Sequence, residues 1–181
     1  LLEQAYDYQK NCQYDKSIDL FLKIRENKEY YEKATMEVAK SYKMSNNPIK
    51  AIEYFAELVN YNNNNSEAIK ELSQTSCLSK NYEKSENIFK ELFNKTKRNI
   101  FLIELIKIYF DKNDITQAEK YISMSEDIDK ENLELKILKA RLKKNQGYLT
   151  KSIEILRQLS DVLDNKEDVY MELADIYSLK G

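Results

Sequence analysis

A small residue followed four positions later by a bulky apolar one recurs along this chain. The pairs are Ser17/Phe21, Ala51/Phe55, Ser85/Phe89, Ala118/Ile122 and Ser152/Leu156, and the steps between successive small residues are 34, 34, 33 and 34. Twelve positions ahead of these stand Ala5, Ala39, Ser73, Ile106 and Ala140, and a further step of 34 reaches Ala174. Three positions beyond that second set come Tyr8, Tyr42, Ser76, Tyr109, Lys143 and Tyr177. Two marker sets that share one period define a repeat architecture.

The spacing has a physical reading. Markers three or four apart share one face of a helix. Small residues let two helix backbones approach, and the bulky residue one turn on fills the groove beside the contact. A two-helix unit cannot bury both of its faces alone, so units must stack. Composition agrees with an all-α chain: among 181 residues there are 2 Gly, 1 Pro and no Trp, few breakers among many helix formers.

On these residues the chain resembles the tetratricopeptide repeat (TPR) family. The family's small residue and Tyr of the first helix match Ala39 and Tyr42, and its Ala and Phe of the second helix match Ala51 and Phe55. The resemblance covers essentially the whole chain. It implies an all-α, right-handed α-solenoid of helix–turn–helix repeats, with about eleven antiparallel helices. The units fall at 1–31, 32–65, 66–98, 99–132 and 133–166, with a final partial unit or capping helix at 167–181. Departures from the family pattern are Thr35, Ile69, Leu102 and Tyr170 in its Trp slot, Ile106 in a small slot and Lys143 in a Tyr slot. An ordinary helical bundle with coincidental periodicity is the competing reading.

Local signals place the helix ends. The second helix of the first unit starts near Tyr14. Asn47 followed by Pro48 reads as an N-cap and first-turn proline. Asn62 to Asn65 form a connecting loop, and Ser66 followed by Glu67 reads as the next N-cap with its first-turn acid. The apolar run at 100–110 could pass for a buried strand, but the spacing of Leu102, Leu105, Ile106 and Tyr109 favours a helix. Gly147 marks an internal turn, and Gly181 stands 34 residues after it. The chain opens in mid-pattern at Leu1 and stops where a second helix is due, which suggests excision from a longer protein. The last helix alternatively serves as a cap.

Composition removes several chemistries. There is no His, which excludes the usual general base, the serine triad and imidazole metal sites. The balance of 29 Lys+Arg against 31 Asp+Glu lacks the basic excess of a phosphate-backbone binder. Fourteen tyrosines suit RNA stacking platforms, and RNA-reading helical repeats have a similar period. Yet several tyrosines occupy packing slots, so an RNA-binding repeat is a lesser alternative. Nucleotide-loop and paired-cysteine motifs are absent, and the acids at Glu126, Asp127 and Asp129 lack calcium-loop spacing. No catalytic residue, metal site or cofactor is expected. Cys12 and Cys77 form no motif and read as thiols in a reducing, cytoplasmic setting, with a disulfide between them left open. No apolar run reaches the length of a membrane span, and no signal peptide is visible.

The resemblance implies that first helices line a concave groove. Three positions before each small slot stand Leu2, Met36, Lys70, Ile103, Ile137 and Met171, and one position after it stand Tyr6, Lys40, Gln74, Lys107, Arg141 and Asp175. Lys43, Phe110 and Lys144 extend these rows by a turn. The rows read as an apolar stripe with a basic rim, suited to a protein or peptide partner with apolar and acidic side chains. Met36, Lys40, Lys43, Lys70, Gln74, Ile103, Lys107, Phe110, Ile137, Arg141 and Lys144 are the candidate partner-binding residues. Against this, Glu37 and Glu104 lie three before Lys40 and Lys107 as ordinary helix-surface ion pairs that neutralise them, and the competing reading of the apolar row is partial burial against the neighbouring first helix. The family subtype that clamps a C-terminal carboxylate needs Lys and Asn in these slots, and no three-unit frame supplies them. The function read here is a non-catalytic interaction scaffold. The alternative is a TPR appendage of a larger enzyme or secretion complex. Self-association through open terminal repeats is a third expectation.

Overall fold

The computed structural model describes residues 1–180, so the expectation attached to Gly181 lies outside the described residues. Among the described residues there are eleven α-helices. They form two compact units, Leu1–Lys95 and Thr96–Gly181. The first unit carries α1 (Leu2–Lys10), α2 (Tyr14–Ile24), α3 (Tyr31–Met44), α4 (Pro48–Tyr61), α5 (Ser66–Ser79) and nearly all of α6 (Glu83–Thr96). The second carries α7 (Asn99–Asp111), α8 (Ile115–Asp129), α9 (Leu133–Asn145), α10 (Leu149–Val162) and α11 (Glu167–Lys180). The run at 100–110 is helical throughout.

The period of the sequence is written into the backbone. Cys12, Asn46, Lys80, Asn113 and Gly147 all have positive φ, between 56° and 82°. They stand 34, 34, 33 and 34 positions apart. After each, the next N–H reaches back over the end of the first helix: Gln13 to Tyr8, Asn47 to Tyr42, Asn81 to Ser76, Asp114 to Tyr109 and Tyr148 to Lys143, at 2.8–3.0 Å. This is the left-handed helix stop in which a six-residue bond satisfies the last free carbonyls. Gly147, Asn46 and Asn113 are residues suited to that conformation, whereas Cys12 and Lys80 accept the cost of a left-handed L-residue. The Tyr slot is therefore also the residue whose carbonyl closes the helix.

Each hairpin then packs on its small residues. Ala5, Ala39, Ala51, Ala118 and Ala140, together with Ser17, Ser85 and Ser152, are all 0% exposed. Ser17 donates to the Ala5 carbonyl at 3.0 Å and Ser152 to the Ala140 carbonyl at 2.7 Å. Phe21, Phe55, Phe89 and Leu156 are likewise 0% exposed, so the bulky marker fills the groove in each hairpin. Thr35, Ile69 and Leu102 are fully buried in the Trp slot, and Ile106 is fully buried in its small slot. Tyr42 stacks on Tyr54 with ring centroids 5.5 Å apart, and Tyr109 stacks on Tyr121 at 5.3 Å. These tyrosines are packing groups, two repeats apart in identical roles.

Caps match the composition of the turns. Asn47 caps α4 by accepting from the Lys50 N–H, with Pro48 at the first turn. The cap of α5 is Asn65, which accepts from Ala68 at 3.0 Å; Ser66 is already the first helical residue. The asparagine wins because it ends the loop in extended backbone, where its short carboxamide reaches the third amide of the helix. Asp114 and Asn132 cap α8 and α9 in the same way.

Candidate functional site

The first-helix residues singled out by sequence form ladders from one first helix to the next. In the first unit, the Lys40 ammonium lies 2.8 Å from Glu67 and 3.7 Å from Glu37. Lys43 pairs with Glu71 at 2.8 Å. Gln9 extends the ladder to α1, donating to Glu37 at 3.2 Å and to Ser41 at 3.0 Å. Lys70 and Gln74 are exposed on α5.

The second unit repeats the arrangement. Lys107 pairs with Glu104 at 2.9 Å and with Glu134 at 2.6 Å. Arg141 donates to Glu172 through Nε at 2.7 Å, and Lys144 reaches the other oxygen of that carboxylate at 2.7 Å and Asp175 at 3.5 Å. The Arg141 guanidinium also lies over the Phe110 ring, 5.8 Å from its centroid. Glu172 is buried, and two cations compensate the desolvation of its charge.

Burial works against the charge on Lys107, but the fields of Glu104 and Glu134 and their hydrogen bonds outweigh it and raise its pKa. For Lys40, burial is again opposed, first by the hydrogen bond to Glu67 and then by the field of Glu37, with a net rise. Both lysines are fixed as cations.

Two expectations are corrected. The apolar row is not an exposed stripe: Met36 is 5% and Ile103 2% exposed. Ile103 packs with Ile106, Ile122 and, from α9, Leu135, Leu138 and Leu142. In the second unit α9 lies close enough to α7 to bury Ile103 between them, whereas Met171 on α11 remains exposed. Of that row's candidates, Ile137 and Phe110 are half-buried against cores of the second unit, and Lys70 is exposed. The basic rim is not free either, since Lys40, Lys43, Lys107, Arg141 and Lys144 are all engaged by carboxylates.

The residues that sequence reasoning missed are the acids Glu67, Glu71, Glu134 and Glu172. A signal for all four exists. Glu67, Glu71, Glu134 and Glu172 stand 27 or 28 positions after a lysine they engage, one period less about two helical turns.

A groove of about 430 Å³ on the second-helix side of the first unit is lined by Leu22, Arg25, Tyr42, Lys50, Glu53, Tyr54 and Glu57. Arg25 pairs with Glu57 there and lies over Tyr54, so the groove is largely answered by its own walls. Cys12 and Cys77 are free thiols. Among the described residues no group of three or more Cys, Asp or Glu could hold a metal ion, and no helix is long and apolar enough to cross a membrane.

No family model matches the sequence, and no curated protein matches it. Solved structures do match the fold. A thermophilic TPR protein of Thermus thermophilus aligns at 17% identity with TM-score 0.63, covering 83% of each chain. A tetratricopeptide repeat protein from Parabacteroides merdae aligns at 18% identity with TM-score 0.63, covering 97% of this chain and 69% of that one. YrrB, described as a TPR protein with an unusual peptide-binding site, aligns at 12% identity with TM-score 0.50, covering 88% of this chain and 83% of its own. The chain has the fold of TPR proteins.

Proposed function

We propose that this chain, with the fold of TPR proteins, is a non-catalytic scaffold that docks a segment of another protein on the first-helix face of its repeats. The observation that carries the reading is the division of labour within the five first helices that are followed by a second helix. Their small-slot residues Ala5, Ala39, Ser73, Ile106 and Ala140 are buried, whereas side chains that differ between copies form polar ladders reaching solvent. Lys70 and Gln74 are exposed there, and Glu67 and Glu134 keep 60% and 46% of their side-chain surface. A surface of this kind recognises a chain by hydrogen bonds and charge, with little backbone change. The peptide-binding site ascribed to YrrB is a parallel on the same fold.

The face offers no lysine–asparagine slot for a C-terminal carboxylate. Leu2 and Tyr6 hold one such slot, and in the next Met36 is buried and Lys40 is already paired. Among the described residues the ladders also hold no unpaired acid–base couple in an enclosed pocket, which is what proton-transfer catalysis needs.

Affinity capture from the source cell tests the reading. The bait is the whole chain, and the control is its Glu67→Lys, Gln74→Ala double variant, altered at two exposed positions of α5. A protein held by the first and lost from the second is the expected result. A partner retained equally by both would move the site off this face.

A further inference from the structure

The first-helix face repeats one charge device in each compact unit. In the first, Lys40 sits between Glu37 and Glu67; in the second, Lys107 sits between Glu104 and Glu134. Equivalent members are 67 positions apart, two repeats. In both copies the inner acid is shielded, with side-chain exposures of 14% for Glu37 and 2% for Glu104. In both, the outer acid is open, at 60% for Glu67 and 46% for Glu134.

We infer that each clamp, taken within its own compact unit, selects a basic segment, seating a Lys or Arg side chain of the docked chain against Glu67 or against Glu134. The inference rests on the docking surface proposed above and names the chemistry of its partner.

Each clamp holds one ammonium and two carboxylates, so it presents an excess negative charge. An incoming carboxylate meets a lysine already held on two sides and is repelled by both acids. An incoming cation meets a carboxylate whose remaining acceptor sites face solvent. The surroundings grade the two copies. Lys70 stands one turn beyond Glu67 on the same helix, whereas its counterpart beyond Glu134 is the half-buried Ile137. The second copy thus has no opposing cation at that position and offers an apolar surface for the methylene stem of a basic side chain. Lys107 is held by the shorter contacts to its two acids, so that clamp is also the tighter.

The test selects random displayed peptides against the intact chain, then measures affinities of the enriched peptides for it and for its Glu67→Gln, Glu134→Gln variant. Thermal melting confirms that the variant, altered only at exposed side chains, folds. The expected outcome is enrichment of Lys- and Arg-rich peptides that lose about tenfold in affinity for the variant and weaken with added salt. Enriched peptides that are neutral or acidic, or basic ones that bind the variant equally, would overturn the basic-partner inference and leave the docking reading standing. Failure to enrich any sequence would sink both.

Discussion

Ser152 donates its hydroxyl hydrogen to the carbonyl of Ala140 at 2.7 Å, and Ser17 does the same to Ala5 at 3.0 Å. These are the twelve-apart markers of the sequence, and the bond explains why serine and alanine share the slot. Both fit between two backbones in contact, and serine adds a bond to a carbonyl that the helix already uses. Ser152→Ala should cost about 1 kcal/mol, the value of one net hydrogen bond. Ser152→Leu should cost about 3 kcal/mol or more, because nothing at 0% exposure can move aside. Urea unfolding monitored by circular dichroism checks both.

The hydroxyl of Thr35 has no hydrogen-bond partner although the residue is fully buried. Valine keeps the shape and removes the unsatisfied group. Thr35→Val should raise stability by about 1 kcal/mol. A fall in the thermal midpoint would show that the hydroxyl is bonded in solution.

Cys12 and Lys80 occupy the left-handed turn position with φ of 57° and 56°. Glycine adopts that conformation without strain. Cys12→Gly and Lys80→Gly should each stabilise the chain by about 1 kcal/mol, and Gly147→Ala should destabilise it by a similar amount. A cavity argument does not apply at Gly147, since a Cβ there would meet nothing within 4 Å. Thermal melts of the three variants should therefore split in sign.

Lys107 stands between Glu134 and the buried carboxylate of Glu104. Lys107→Met should cost about 2 kcal/mol, because it removes the charge-assisted bonds that this lysine gives to Glu104 and Glu134. Adding Glu104→Gln should recover part of the loss. Lys107→Glu should be worse than Lys107→Met, since it places three acids together. Urea unfolding of the variants ranks them.

The raised pKa of Lys107 also sets a pH dependence. A group whose folded pKa lies above its ordinary value contributes stability that is fully present below the ordinary value, 10.5 for lysine. That contribution is lost as pH rises through the folded value. Lys40 acts in the same direction. Tyr31, raised by burial and by its hydrogen bond to Glu57, adds a further loss once pH passes the ordinary tyrosine range. Unfolding midpoints should fall on the alkaline side, and more gently in Lys107→Met than in the parent chain.

The sequence by itself determined the helices, their hairpin pairing and the buried slots. That information is local: three- and four-residue spacing fixes a helix face, and a constant period fixes where each face recurs. It misjudged what the first helices offer to a partner. Met36 and Ile103 looked exposed because helical spacing tells which residues share a face but not how near the next first helix stands. The pairing of Lys40 with Glu37 and of Lys107 with Glu104 was legible from their spacing, but their second acids, Glu67 and Glu134, lie almost a full repeat away in sequence. The turn stops at Cys12 and Lys80 were hidden because nothing in those side chains announces positive φ. Only the tertiary structure decided these points. Burial and charge pairing depend on contacts between successive first helices, at distances that no single repeat contains, whereas the turn stops depend on a backbone angle closed by an N–H-to-carbonyl bond inside each hairpin.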